Sequence, residues 1–90
     1  MAIIKKKTWP ELFEEVASGK KKCDVRLNDF EINEGDTLIL EEWDPGAGDY
    51  TGRIIEKKVT HVMLFDLNRF NQAEKIKEKG LLVISLDDGK

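Results

Sequence analysis

The stretch "TWPELFEEVASGKKKCDVRL", residues 8–27, decides the fold class because the period of its apolar residues changes partway along. In its first half Trp9, Leu12, Phe13 and Val16 recur at spacings of three and four, giving one apolar helix face. Thr8 suits the N-cap, and Glu11 three residues on completes a capping box. Pro10 falls in the first turn, where its missing N–H costs little. Glu11, Glu14 and Glu15 lie toward the positive end of the helix dipole, and Gly19 is a natural residue to end on. In the second half, residues 22–27 alternate as a half-buried strand does. Cys23, Val25 and Leu27 then share the inner face, and Asp24 and Arg26 the polar one.

Outward from there, "AIIKK" (2–6) predicts a short opening strand, and "NDFEINEGD" (28–36) is rich in turn residues. "TLILEEW" (37–43) is strongly strand-like, and "DPGAGD" (44–49) is a loop. "YTGRIIEKKVTHVMLF" (50–65) predicts one long or bent strand, with Gly52 marking a bulge or kink. "LNRFNQAEKIKEKG" (67–80) predicts a second helix, capped by Asn68 or Asn71 and ended by Gly80. "LLVISL" (81–86) predicts a closing strand before the polar tail 87–90. Five or six short strands with two helices imply an α+β domain built on a small, partly closed barrel.

Ninety residues make a single domain, 1–90, which buries roughly 60% of its unfolded surface. Charged residues are 37% of the chain and the net charge is −3, so the global field does not attract nucleic acid. The basic residues nevertheless cluster, as Lys5 to Lys7, Lys20 to Lys22 and Arg26, while the acids concentrate in "EEWD" and "LDDG". A lone cysteine fits the cytoplasm, and no apolar run is long enough to span a bilayer. One Cys and one His make no zinc site, and no carboxylate spacing resembles a calcium loop, so no metal or cofactor is expected.

In chain order stand Pro10 to Val16, Ser18 to Lys21, Asp24-Val25-Arg26, Gly35-Asp36, Glu42 to Pro45 and Tyr50 to Arg53. This series resembles the small ASCH domains of the PUA-like superfamily, in particular a bacterial and phage subgroup of unknown function. The resemblance implies a mixed-strand pseudo-barrel with flanking helices, and a cleft lined by the G-K-K-x-x-acidic-x-Arg segment. Such clefts are proposed to bind RNA or a nucleotide-like ligand, and some relatives hydrolyse an acetylated cytidine with a Lys, a Thr and a downstream Glu. Two positions depart from the pattern. Ile4 stands where the subgroup often has His, and Asp24 stands where the hydrolytic relatives have their Thr.

The expected ligand contacts are Lys20, Lys21, Asp24, Arg26, Arg53 and Trp43. Arg presents a planar fork to phosphate or a base edge, and Lys a point charge. Asp24 suits an exocyclic amine or a ribose hydroxyl. The plainer alternative is that Asp24 and Arg26, two apart on one strand face, form an ion pair with strand neighbours. Arg53 follows Gly52 and can turn inward, whereas Trp43 reads either as a base-stacking platform or as core at the barrel mouth. His61, between Val59 and Met63 on an apolar run, reads as structural. Cys23 reads as a small buried hydrophobe, and Glu74 and Glu78 as part of a solvated helix face. Binding by a monomer is favoured over catalysis, because Asp24 is no hydroxyl nucleophile. The alternatives are a small amidohydrolase of acetylated nucleosides with Lys21 as base, and a phage or mobile-element factor that contacts a host protein.

Overall fold

The computed structural model describes residues 1–68, 71–82 and 84. In chain order the elements are β1 (Ile3–Thr8), α1 (Pro10–Ala17), β2 (Thr37–Asp44), β3 (Asp49–Lys58) and α2 (Ala73–Lys79). The three strands form one mixed sheet in the order β1-β2-β3, with β1 parallel to β2 and β3 antiparallel to it. A parallel pair needs a crossover. Here α1 and the irregular residues 18–36 provide it. The result is a small α+β protein.

α1 lies on one sheet face. Phe13 and Val16 are buried against Leu40, and Leu38 and Ile55 pack around them. Register puts Ile4, Lys6 and Thr8 of β1 beside Leu38, Leu40 and Glu42 of β2 on this face. Phe13, 1% exposed, is the centre of the core. The opposite face carries Lys7, Trp43 and Tyr50. The two rings meet edge to face at 4.9 Å, and the Lys7 ammonium lies 3.9 Å from the Trp43 ring centre.

Gly52 marks a bulge, as its position suggested. Glu41 pairs with Ile54 and Trp43 with Tyr50, so Thr51, Gly52 and Arg53 stand opposite Glu42 alone. Gly52 has φ +93°, a conformation that a side chain disfavours. The extra residues let Thr51 and Arg53 both reach the buried Glu42.

The crossover is tied down at several points. Gly19, at φ +82°, turns the chain out of α1, and the Gly19 and Lys21 N–H groups donate to the carbonyls of Val16 and Glu15. Phe30 lies under the Lys6 ammonium at 3.7 Å. Asp36 accepts from the N–H groups of Ala2 and Asn33, at 2.9 and 2.8 Å, and these bonds hold its carboxyl below the usual aspartate pKa.

Several expectations need correction. Residues 22–27 form no strand, and Val25 and Leu27 are 66% and 78% exposed rather than inward-facing; Cys23 is half-buried. The alternation is present but the segment has no ladder partner, because it meets the β1 edge through side chains. β1 runs to Thr8 instead of ending at Lys6, so Trp9 takes the N-cap position, without a side-chain cap. The strand expected over 50–65 ends at Lys58, and His61 and Met63 beyond it are exposed. The second helix is shorter than 67–80, with Gln72 instead of Asn68 or Asn71 at its N-cap, although Gly80 does end it. Among the described residues there are three strands, not a barrel of five or six. Within the expected closing strand 81–86, residues 83, 85 and 86 lie outside the described residues, as does the tail 87–90, while Leu81, Leu82 and Ile84 are in no strand.

Candidate functional site

Arg26 organises the site. Its Nε donates to Asp24 Oδ2 at 2.7 Å, its Nη1 to the Lys7 carbonyl at 2.8 Å, and its Nη2 to the Thr8 hydroxyl at 2.8 Å. One planar fork thus ties the loop after α1 to the end of the edge strand β1. The Lys21 ammonium stands 3.7 Å from the other Asp24 oxygen, and the Lys21 and Asp24 side chains are each 19% exposed. The Asp24–Arg26 pair is therefore not a freely solvated surface pair.

These groups line a cleft of about 250 Å³. Its polar lining residues are Lys7, Thr8, Lys21, Asp24 and Arg26, and its apolar ones Trp9, Leu12 and Val25. Its residues come from the end of β1, the first turn of α1 and the loop that follows the helix. The parallel crossover brings these segments together, although they are far apart in sequence. Thr8, buried to 3% exposure, accepts from Arg26 and does not cap α1.

Of the expected contacts, Lys21, Asp24 and Arg26 meet at this cleft. Lys20 is exposed and outside its lining. Trp43 is half-buried in the Lys7–Trp43–Tyr50 cluster and does not line the cleft. Arg53 belongs to a second network beyond Thr8. It reaches Glu14 at 3.3 Å and Glu42 at 3.6 Å, and its guanidinium lies 4.8 Å from the Phe13 ring centre. Thr51 donates to Glu42 at 2.6 Å, which satisfies a carboxylate only 5% exposed.

Sequence reasoning missed Thr8, Trp9 and Glu42 as parts of these networks. Glu42 was legible in principle, since period two places it on the face of Leu38 and Leu40. A carboxylate on a buried strand face demands a partner. The recruitment of Thr8 by Arg26 is a contact between residues 18 apart and leaves no local signature. Among the described residues no group of His, Cys, Asp and Glu is placed to hold a metal ion, and no helix is long and apolar enough to cross a membrane.

A mixed three-stranded sheet with one face covered by α1 and a cation-rich cleft at its edge defines the class: a small α+β domain. The chain belongs to the family described as "Domain of unknown function (DUF3850)", whose pattern matches residues 3–74. It is similar to the "Uncharacterized 12.9 kDa protein in GpA 3'region" of Escherichia phage P2, with 41% identity over 56 residues. That match takes in 62% of this chain and 50% of the phage protein, so the chain spans about half the length of the curated relative it matches. No solved structure matches the chain.

Proposed function

We propose that the cleft between β1, α1 and the residue 20–26 loop binds an anionic, nucleotide-like ligand, RNA or a smaller nucleotide, as the resemblance to ASCH and PUA-like domains implies. The observation that supports this most is the meeting of Lys21 and Arg26 around one cleft in a chain whose net charge is −3. Three donors of Arg26 are occupied within the protein, so its role is to build the cleft wall and position Asp24. Lys21, with one acidic neighbour at 3.7 Å, keeps donors for a phosphate.

A titration with single-stranded RNA at rising ionic strength tests this reading. Binding should weaken with salt, because phosphate contacts release counterions. Lys21→Ala should weaken it further and reduce the salt slope by about one. Absence of binding at low salt would remove the reading.

A turnover assay separates the hydrolase alternative, in which Lys21 would act as base on an acetylated nucleoside. Asp24 supplies no hydroxyl nucleophile, and both its carboxylate oxygens already face Arg26 and Lys21. Turnover of acetylated nucleosides that disappears in Lys21→Ala would favour catalysis over binding. The phage relative keeps a third reading open, a factor that contacts a host protein.

A further inference from the structure

Three large apolar side chains stand beside the cations of the cleft and outside the core. Trp9 is 54% exposed, Leu12 44% and Val25 66%, and all three line the cleft. The helical spacing predicts Trp9 in the core with Phe13. It escapes because it is the N-cap residue, with extended backbone (φ −66°, ψ 152°), so the 3.6-residue period does not carry its ring onto the helix face. Leu12, one position before Phe13, is turned to the flank of α1 while Phe13 and Val16 take the core contact. The cleft thus brings a large exposed indole into one lining with Lys21 and Arg26.

We propose that Trp9 is the base-stacking residue of this cleft, and that the ligand is an unpaired nucleotide within single-stranded nucleic acid. The proposal rests on the reading of the cleft given above and narrows its ligand. Lys21 meets the phosphate, while the exposed Trp9 ring meets the flat face of a base, with Leu12 and Val25 excluding water beside it. A base offers that face only when it is out of a duplex, so single strands are selected over double strands. Stacking is tolerant of base identity, so little sequence preference is expected. The Trp43–Tyr50 pair is a poorer platform, because Lys7 already occupies a Trp43 face and Tyr50 meets its edge.

The chain holds two tryptophans, so a Trp43→Phe background leaves Trp9 as the reporter. Its fluorescence would be followed during titration with a short single-stranded oligoadenylate, the same strand annealed to its complement, and an abasic strand of equal length. The expected result is quenching by the single strand, with the abasic strand binding about tenfold more weakly and the duplex more weakly still. Anisotropy of a labelled strand then compares variants. Trp9→Leu should abolish the difference between oligoadenylate and abasic strand, Trp9→Phe should keep most of it, and Lys21→Ala should weaken both strands alike. Circular dichroism of each variant confirms folding. Equal affinity for the abasic strand, with Lys21→Ala still weakening it, would overturn the role of Trp9 and leave a phosphate-binding cleft standing. No binding of any strand would overturn both.

Discussion

The Arg26 guanidinium donates to the Thr8 hydroxyl at 2.8 Å, and this contact joins the loop after α1 to the last residue of β1. Thr8 is thereby taken from the capping role its position suits, and α1 begins without a side-chain cap. Capping by Ser or Thr contributes about 1 kcal/mol in helices that have it. Here a hydroxyl used across 18 residues closes a long crossover instead. The cleft exists because that crossover is closed.

Arg26→Lys tests the geometry of this closure, since it keeps the charge and loses the fork. The variant should unfold at lower urea concentration, with a loss of about 1–2 kcal/mol and an unchanged m-value. Arg26→Ala should lose more, because Asp24 then loses its guanidinium partner at 2.7 Å altogether. An unfolding midpoint equal to that of the parent for both variants would show that the loop is held by other contacts.

Phe13→Ala should be far more damaging. Among the described residues Phe13 is the largest fully buried side chain, and truncation of a buried Phe costs about 3–5 kcal/mol. That approaches the whole stability of a small domain. Thermal melting by circular dichroism should show a transition that is lost or greatly lowered. A shift of only a few degrees would mean that the core lies elsewhere.

Gly52→Ala isolates backbone conformation. An added Cβ there meets nothing within 4 Å, so space is not at issue, but φ is +93°. The expected cost is about 1–2 kcal/mol from the left-handed backbone alone. The check is chemical denaturation of Gly52→Ala beside Gly48→Ala, whose added Cβ is equally unobstructed at φ +67°. If both leave stability unchanged, the turn and the bulge relax freely.

Asp36 predicts an acid limb in the stability curve. Its carboxyl accepts the Ala2 and Asn33 N–H groups, so its folded pKa lies below the ordinary value of 3.8. A depressed carboxyl pKa stabilises the fold fully above the unfolded value, and that contribution is lost as pH falls through the folded one. Stability measured by denaturant from neutral pH down to about pH 2 should therefore fall most steeply below about pH 4. Asp36→Asn should flatten this part of the curve. The same slope in parent and variant would exclude Asp36 as its source.

What the sequence made legible was local. α1 is written in the spacing of Phe13 and Val16, with Pro10 at its start and Gly19 after its end. β2 is an apolar run bounded by turn residues, and Gly52 announced the bulge. The strand expected at 22–27 failed because alternation describes side chains and not ladder partners. At the β1 edge the Lys7 carbonyl is bonded by the Arg26 side chain and not by a backbone N–H. Asp24 and Arg26 read from the sequence as ligand contacts, with an ion pair to strand neighbours as the plainer alternative. They do pair with each other, and their tie to Lys7 and Thr8 depends on the crossover returning to the edge strand. Trp9 was misassigned because a cap residue belongs to the helix in sequence but not in backbone geometry. Arg53 was singled out for its place after Gly52, and the bulge does redirect it, toward Glu42 and Glu14 rather than into the cleft.

The most direct test of the central claim is a backbone amide NMR titration of the intact chain with a short single-stranded RNA. The account predicts shifts confined to the cleft: Lys7 to Trp9, Leu12, and Lys21 to Arg26. The amides of Ile39 and Ile54, on the sheet face turned away from α1, should stay in place. Shifts centred on that sheet face, or none at RNA concentrations that saturate nucleic-acid binding domains, would contradict it.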